Sequence, residues 1–210
     1  MKTAGIIAEY NPFHNGHLYH LREAVKMTQA DVCIAVMSGN FVQRGEPAMI
    51  HKYARCRAAV DCGVNLVVEL PSFYALSSAE FFADGAVQVC DALAVSSLVF
   101  GSECGELTPL QAAADILVRE PDDYRQALLP HEELLELLAN PNNILGIEYL
   151  KALQKHHSPI TPFTLKRAGD GYHKETLSGS AAFSSASAIR KQFTISDNAM
   201  QDSLTQALPQ

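Results

Sequence analysis

"EYNPFHNGHLYH", Glu9 to His20, decides how this chain is read. The run before it, Ala4 to Tyr10, is largely apolar, and Leu18 to Met27 after it carries Leu18, Leu21 and Val25 at helical spacing. Between them stand the turn residues Asn11 and Pro12, then His14, Gly16 and His17. A strand that turns into a helix amino terminus is an anion site: unpaired amide N–H groups and the helix dipole both favour negative charge there. Gly16 has no side chain, so a phosphate can approach the backbone closely. His14 and His17, three apart, project on one side of a helical turn and can donate N–H groups to phosphate oxygens. Such donors gain strength as charge builds on a pentacovalent phosphorus, which is what catalysis requires. The plain alternative is a pair of surface histidines at a helix cap. Zinc is another, but no further ligand cluster is evident, and the glycine suits a phosphate better than a metal cage.

Outward from this stretch, strand and helix signals alternate. Asp31 to Ser38 is an apolar strand, Lys52 to Cys62 a helix ended by Gly63, Asn65 to Pro71 a third strand, Ser78 to Leu93 a helix, and Ser96 to Glu103 a fourth strand. Apolar strands separated by helices predict an α/β, Rossmann-like parallel sheet with helices on both faces. Right-handed crossovers then align the loops after the strands along one edge, the usual ligand crevice. "NPFHNGH", "SGNFVQRGEP" and "FGSECGE" should share it. Extra helices follow: Leu107 to Val118, Asp122 to Leu129, and Asn142 to His157, for which Asn143 is a natural cap. Thr161 to His173 reads as a strand with a glycine-bearing loop, and Ser184 to Phe193 as a helix start.

With 48% hydrophobic residues among 210, the chain can bury a core. No apolar run reaches the roughly 18 residues of a membrane span, and the amino terminus lacks signal-peptide features. Five cysteines, odd in number and with no C-x-x-C pair, fit a reducing cytoplasm; Cys33 and Cys90 read as core residues. A net charge of −7 argues against a nucleic-acid surface spread over the whole chain, but leaves room for a local basic patch.

The motif "NPFHNGH" resembles the H-x-G-H signature of nucleotidyltransferases and class I aminoacyl-tRNA synthetases. Eight ordered stretches carry a closer likeness: "GIIAEYNPFHNGHLYH", "AVMSGNFVQRGEPA", "KYARCRAAV", "GVNLVVELP", "FGSE", "PNNILGIEYLKAL", "LKRAGDGYH" and "SSASAIR". Together they resemble the tRNA(Met) cytidine acetate ligase family. That resemblance implies an enzyme that activates acetate with ATP as acetyl-adenylate. The acetyl group then passes to N4 of the wobble cytidine of elongator tRNA(Met). It implies a nucleotidyltransferase-like ATP-binding domain over residues 1–195. Residues 196–210 are then a polar tail or the stub of a longer C-terminal region.

By the family pattern, ATP is held by Ile7, Ala8, Glu9, Tyr10, Asn11, Pro12, Phe13, His14, Asn15, Gly16, His17, Leu18, Tyr19 and His20. His14 and His17 are the catalytic pair at the phosphates. Gly101, Asn143 and Arg167 match the family's other ATP contacts. Arg44, Lys52, Arg55, Ser185, Ser187 and Arg190 are candidate phosphate or tRNA contacts. On sequence alone Lys52 and Arg55 also fit one face of an exposed helix, and Ser185 and Ser187 a simple cap. ATP and Mg2+ are the implied cofactors, with Mg2+ carried on the phosphates rather than by protein ligands. Acetate and tRNA(Met) are the implied partners, with no membrane and no protein partner indicated. The alternative activity is a nucleotidyltransferase of cofactor synthesis that adenylylates a phosphorylated acceptor. An ATP-binding module without turnover and a metal-dependent hydrolase are further rivals.

Overall fold

The computed structural model describes residues 1–119, 132–167, 186–193 and 208–209. Five strands, β1 (Thr3–Ala8), β2 (Val32–Ser38), β3 (Leu66–Leu70), β4 (Ser97–Ser102) and β5 (Thr161–Lys166), form one sheet in the order β3-β2-β1-β4-β5. Every pairing is parallel. The helices are α1 (Asn15–Thr28), α2 (Lys52–Asp61), α3 (Ser72–Ala75), α4 (Ala79–Ala92) and α5 (Leu107–Arg119). After them come α6 (Glu132–Leu135), a 3-10 turn (Glu136–Ala139), α7 (Pro141–Lys155) and α8 (Ala186–Phe193). The expected helix over Asp122–Leu129, the loop after Arg167, Ser185 and the 196–207 stretch of the tail lie outside the described residues.

The layers follow from side-chain alternation along the strands. On β2, Ile34 and Val36 face a core shared with Leu98, Phe100, Phe82, Leu110, Ile147 and Leu150, which α4, α5 and α7 cover. Cys33, Ala35 and Met37 face the opposite core with Ile6, Phe13, Leu21, Ala59 and Val99, beneath α1 and α2. Because both faces are buried, the strands read as continuous apolar runs. Cys33 and Cys90 are buried as the sequence suggests.

The ladder between β1 and β4 is confined to Ala4–Ser97 and Gly5–Leu98. Beyond Gly5 these two central strands are unpaired with one another, so the sheet opens toward its carboxyl edge between the loops after β1 and β4. The strand order reverses at this point, which is where open α/β sheets take ligands.

The short helix α3 is absent from the sequence reading, because one turn is too brief for a periodic signal. Its Tyr74 ring packs over α4 at Gly85, where an added Cβ would lie 2.2 Å from Tyr74 Cγ. Helix propensity favours alanine over glycine by about 1 kcal/mol. The collision is with the root of the ring, which cannot swing aside, and overpacking typically costs about 1–3 kcal/mol. Gly85→Ala is therefore expected to lower the thermal midpoint by a few degrees in a melt followed by circular dichroism.

Candidate functional site

The loop after β1 is fixed from below. Tyr10 turns the chain with a positive φ of 48°, and its buried ring meets Phe13 at 4.8 Å between centroids. His14 then takes an extended conformation, φ −144°, as the N-cap of α1. Its Nδ1 accepts the Gly16 N–H at 3.0 Å, and His17 Nδ1 accepts the His14 N–H at 3.3 Å. This is a reciprocal capping box in which two imidazoles occupy the places usually held by Ser or Thr and Glu or Gln. The rings lie 3.8 Å apart.

The cap sets the tautomers. An Nδ1 that accepts a hydrogen bond is unprotonated, so the neutral ring carries its proton on Nε2. Both imidazoles are therefore donors through Nε2. Burial is the largest influence on their charge: it pushes His14 down to about 4, helped by Arg167 and Arg190. Burial also holds His17 well below the usual histidine range, with His14, His20 and Arg167 adding to the effect. His20, likewise pushed down to about 4 by burial and by Arg167, leaves its buried Nε2 without a hydrogen-bond partner. Gly16 has a role the sequence did not disclose: a Cβ there would sit 2.8 Å from His14 Cε1, so only glycine lets that ring fold back over its own helix.

Neutral burial has a consequence for stability. Between pH 6.5 and 4 the unfolded chain binds protons that the folded site refuses, so stability rises with pH across that window. It is lost as pH falls from 6.5 toward 4, by up to about 1.4 kcal/mol per pH unit for His14 alone. Urea midpoints measured across that range are expected to fall steadily on acidification, and His14→Gln to flatten the slope.

The loop after β2 is clamped to the first loop. Gln43 N–H donates to Glu9 Oε1 at 2.9 Å and Met49 N–H to Asn11 Oδ1 at 2.8 Å. Arg55 completes the clamp from inside. It is 1% exposed and donates to the carbonyls of Ile50, Glu9, Ser38 and Gly39. Both sequence expectations for this side chain, an exposed helix face and a phosphate or tRNA contact, are corrected: its guanidinium is spent on four backbone oxygens. Lys52 stays nearer the surface, paired with Glu69 at 2.7 Å, and Arg44 is exposed.

On the other side of the opening, Gly101 lies on β4 with the Arg167 side chain across it; a Cβ would meet Arg167 Cγ at 3.3 Å. Asn143 is buried but is not the helix cap. Asn140 holds that position, with Pro141 at the first turn, where a missing N–H costs nothing. Asn143 Oδ1 instead accepts the N–H groups of Glu103 and Cys104, at 2.9 and 3.2 Å. Glu103 answers by accepting the Asn143 N–H at 2.9 Å and Asn142 Nδ2 at 2.5 Å. Asn142 Oδ1 then accepts Arg167 Nη1 at 3.3 Å. Glu103 and Asn142 are thus supports that sequence reasoning passed over; their signal was proximity to Gly101 and Asn143 in "FGSE" and "PNN". From α8, Arg190 donates to the Asn11 carbonyl at 2.8 Å and to Ser187 Oγ at 3.2 Å. Ile7, Ala8, Asn15, Leu18 and Tyr19 lie along the end of β1 and the first turns of α1.

The arrangement is a corner with uncharged imidazole donors in the middle and guanidinium groups of Arg167 and Arg190 close enough to depress His14. Among the described residues no group of three or more His, Cys, Asp or Glu side chains is placed to hold a metal ion. No described helix is long and apolar enough to cross a membrane.

The chain is 49% identical to a tRNA(Met) cytidine acetate ligase of Caldanaerobacter subterraneus, over 91% of this chain and 53% of that protein. It is 43% identical to one of Acetivibrio thermocellus, over 100% of this chain and 56% of that protein. The chain thus spans about half the length of the curated relatives it matches. The apo crystal structure of Thermotoga maritima TmcAL superposes with a TM-score of 0.90 at 40% identity, covering 100% of this chain and 55% of that one. A crystal structure of Thermotoga maritima TmcAL bound with alpha-thio ATP gives a TM-score of 0.87 at 40% identity, over 100% and 54% of the two chains. The model of the HIGH nucleotidyl transferase family matches residues 1–210. With that match over the histidine-capped helix and the sheet that presents it, the chain belongs to the HIGH nucleotidyl transferase family.

Proposed function

We propose that this chain is the ATP-using part of a tRNA(Met) cytidine acetate ligase, with residues 1–195 as its nucleotidyltransferase-like domain. The single observation that carries the reading is the reciprocal imidazole cap on α1, which leaves the Nε2–H of two uncharged imidazoles unused by the cap at the helix start that follows β1. The names of the relatives and the ATP analogue in the Thermotoga maritima structure support the same reading.

Residues Ile7 to His20 cradle ATP, with Gly101, Asn143 and Arg167 across the opening. A carboxylate oxygen of acetate attacks the α-phosphorus in line as the bond from that phosphorus to the bridging oxygen breaks, and pyrophosphate leaves. His14 and His17 donate to phosphate oxygens whose charge grows in the transition state. Arg167, oriented by Asn142 and Glu103, matches a phosphate with its planar fork. The product is a mixed anhydride. The N4 amine of the cytidine attacks its acetyl carbon, AMP leaves, and the amine loses a proton. No protein nucleophile is needed, so the site contributes mainly position and charge complementarity. Mg2+ would be held through the phosphate oxygens of ATP, where it would neutralise their charge. The free thiols and a tRNA substrate fit a cytoplasmic enzyme.

The test is formation of labelled acetyl-adenylate from acetate and ATP, with and without a tRNA(Met) transcript. Acetate-dependent adenylate that is consumed when tRNA is added supports the proposal. Pyrophosphate release that ignores acetate but needs a phosphorylated acceptor would move the chain to cofactor synthesis. Absence of both would leave an ATP-binding module.

A further inference from the structure

The loop after β4 is pinned along its backbone. Ser102 Oγ lies 2.7 Å from Thr164 Oγ1 and accepts the Gly105 N–H at 3.0 Å. Asn143 Oδ1 holds the amides of Glu103 and Cys104. From this fixed base the two carboxylate oxygens of Glu103 take different partners. Oε2 accepts the Asn143 N–H at 2.9 Å. Asn140, the N-cap of α7, makes no side-chain cap bond. Glu103 thus supplies, from another loop, the acceptor and the negative charge that a helix start favours. Oε1 accepts from Asn142 Nδ2.

That second bond fixes a polarity. A carboxylate oxygen only accepts, so the Asn142 amide must turn its NH2 group toward Glu103. Its carbonyl oxygen is then the end that meets Arg167 Nη1, at 3.3 Å. A guanidinium only donates, so it is held by this orientation of the amide and not by the reverse. The Arg167 backbone is fixed as well, its N–H donating to the Ser102 carbonyl at 3.0 Å. Its side chain lies across Gly101, where a Cβ would meet Arg167 Cγ at 3.3 Å.

We propose that Glu103 is a positioning residue for the adenylation step: by setting the polarity of the Asn142 amide, it holds Arg167 in the orientation that serves the phosphates of ATP. This rests on the function proposed above. One carboxylate then has two separable duties, a cap on α7 through Oε2 and a relay to Arg167 through Oε1. Glu103→Gln removes the second and keeps the first. The glutamine oxygen can still accept the Asn143 N–H. Its NH2 group is a donor, and two NH2 groups cannot bond one another, so the Asn142 amide turns over and offers NH2 to Arg167.

In the 210-residue chain, Glu103→Gln is expected to slow acetate-dependent ATP–pyrophosphate exchange by about ten- to a hundredfold, the scale of a mispositioned group. Its thermal midpoint should stay close to that of the wild type. The Glu103→Gln, Asn142→Asp double variant rebuilds each bond: the glutamine NH2 donates to one aspartate oxygen, and the other accepts from Arg167. Part of the lost exchange should return. In an Arg167→Ala background Glu103→Gln should cost nothing further, because the group it acts through is gone. A carboxylate that only capped α7 would cost the same in both backgrounds. Full exchange in Glu103→Gln, equal losses with and without Arg167, or a double variant no better than Glu103→Gln would overturn the relay. A large fall in the thermal midpoint of Glu103→Gln would overturn it too, leaving Glu103 as a cap alone. A wild type that binds a non-hydrolysable ATP analogue without exchange removes the proposed chemistry alone. Affinity for that analogue, compared across the same chains with the same order expected, then decides the relay. A wild type that binds no analogue overturns both.

Discussion

Under the function proposed above, His17→Ala is expected to cut acetate-dependent ATP–pyrophosphate exchange by about a hundred- to a thousandfold, as loss of one preorganised donor typically does. His17 Nδ1 is occupied by the His14 N–H, which leaves Nε2–H as its remaining donor. The donor is neutral and already oriented, so no reorganisation is needed when negative charge develops on the phosphate oxygens. The alanine variant also removes an acceptor from the cap, at a cost of about 1 kcal/mol. His17→Gln separates the two effects. A glutamine at the third helical position can reach back to the N-cap amide, as in ordinary capping boxes, but its remaining amide group does not reproduce the imidazole Nε2–H. Stability should recover in that variant while exchange stays low. A wild-type rate in His17→Ala would remove the side chain from the mechanism.

Arg55→Ala should destabilise this domain strongly, by about 3–5 kcal/mol. Its guanidinium serves the carbonyls of Glu9, Ser38, Gly39 and Ile50. Hydrogen bonds to a charged group contribute about 1.5–3 kcal/mol each, and stranded buried acceptors cost about 1–3 kcal/mol. Water admitted to the truncated space offsets part of that total, which is why the expectation is below the simple sum. Arg55→Lys should recover only a fraction, since an ammonium cannot spread its three donors in the planar fork that these carbonyls require. Urea unfolding monitored by circular dichroism gives the comparison. Affinity for an ATP analogue should fall with it, because the Glu9 carbonyl belongs to a loop that frames the opening and the Gly39 carbonyl to the loop clamped against it. A loss below about 1 kcal/mol would show that the clamp is not what holds these loops together.

Much of the architecture was legible because it is written in short-range pattern. Cys33 to Met37 is apolar on every residue, which both signals a doubly covered strand and predicts the parallel sheet. The His14-x-Gly16-His17 spacing placed a helix start, and the helix starts there. What failed depended on distant chain. "KYARCR" has helical spacing, but nothing local says that the loop from β2 folds over Arg55 and presents carbonyls to it. Asn143 was read as a cap on propensity, whereas the pair Asn140 and Pro141 carried the better local signal. Its actual partners, Glu103 and Cys104, lie some forty residues earlier. The same is true of the support that Glu103 and Asn142 give Arg167, which no spacing along the chain reveals.

The two-pair ladder between β1 and β4 makes the sheet a pair of leaves joined at one short seam. His14 and His17 belong to one leaf, through the loop leaving β1; Gly101 and Arg167 belong to the other, through β4 and β5. A nucleotide gripped by both would staple the leaves together at the end where backbone pairing has run out. Occupancy would then be felt as stiffness across the whole domain, and amide exchange should slow along the facing edges of Ile6–Ala8 and Val99–Gly101 when the corner is filled.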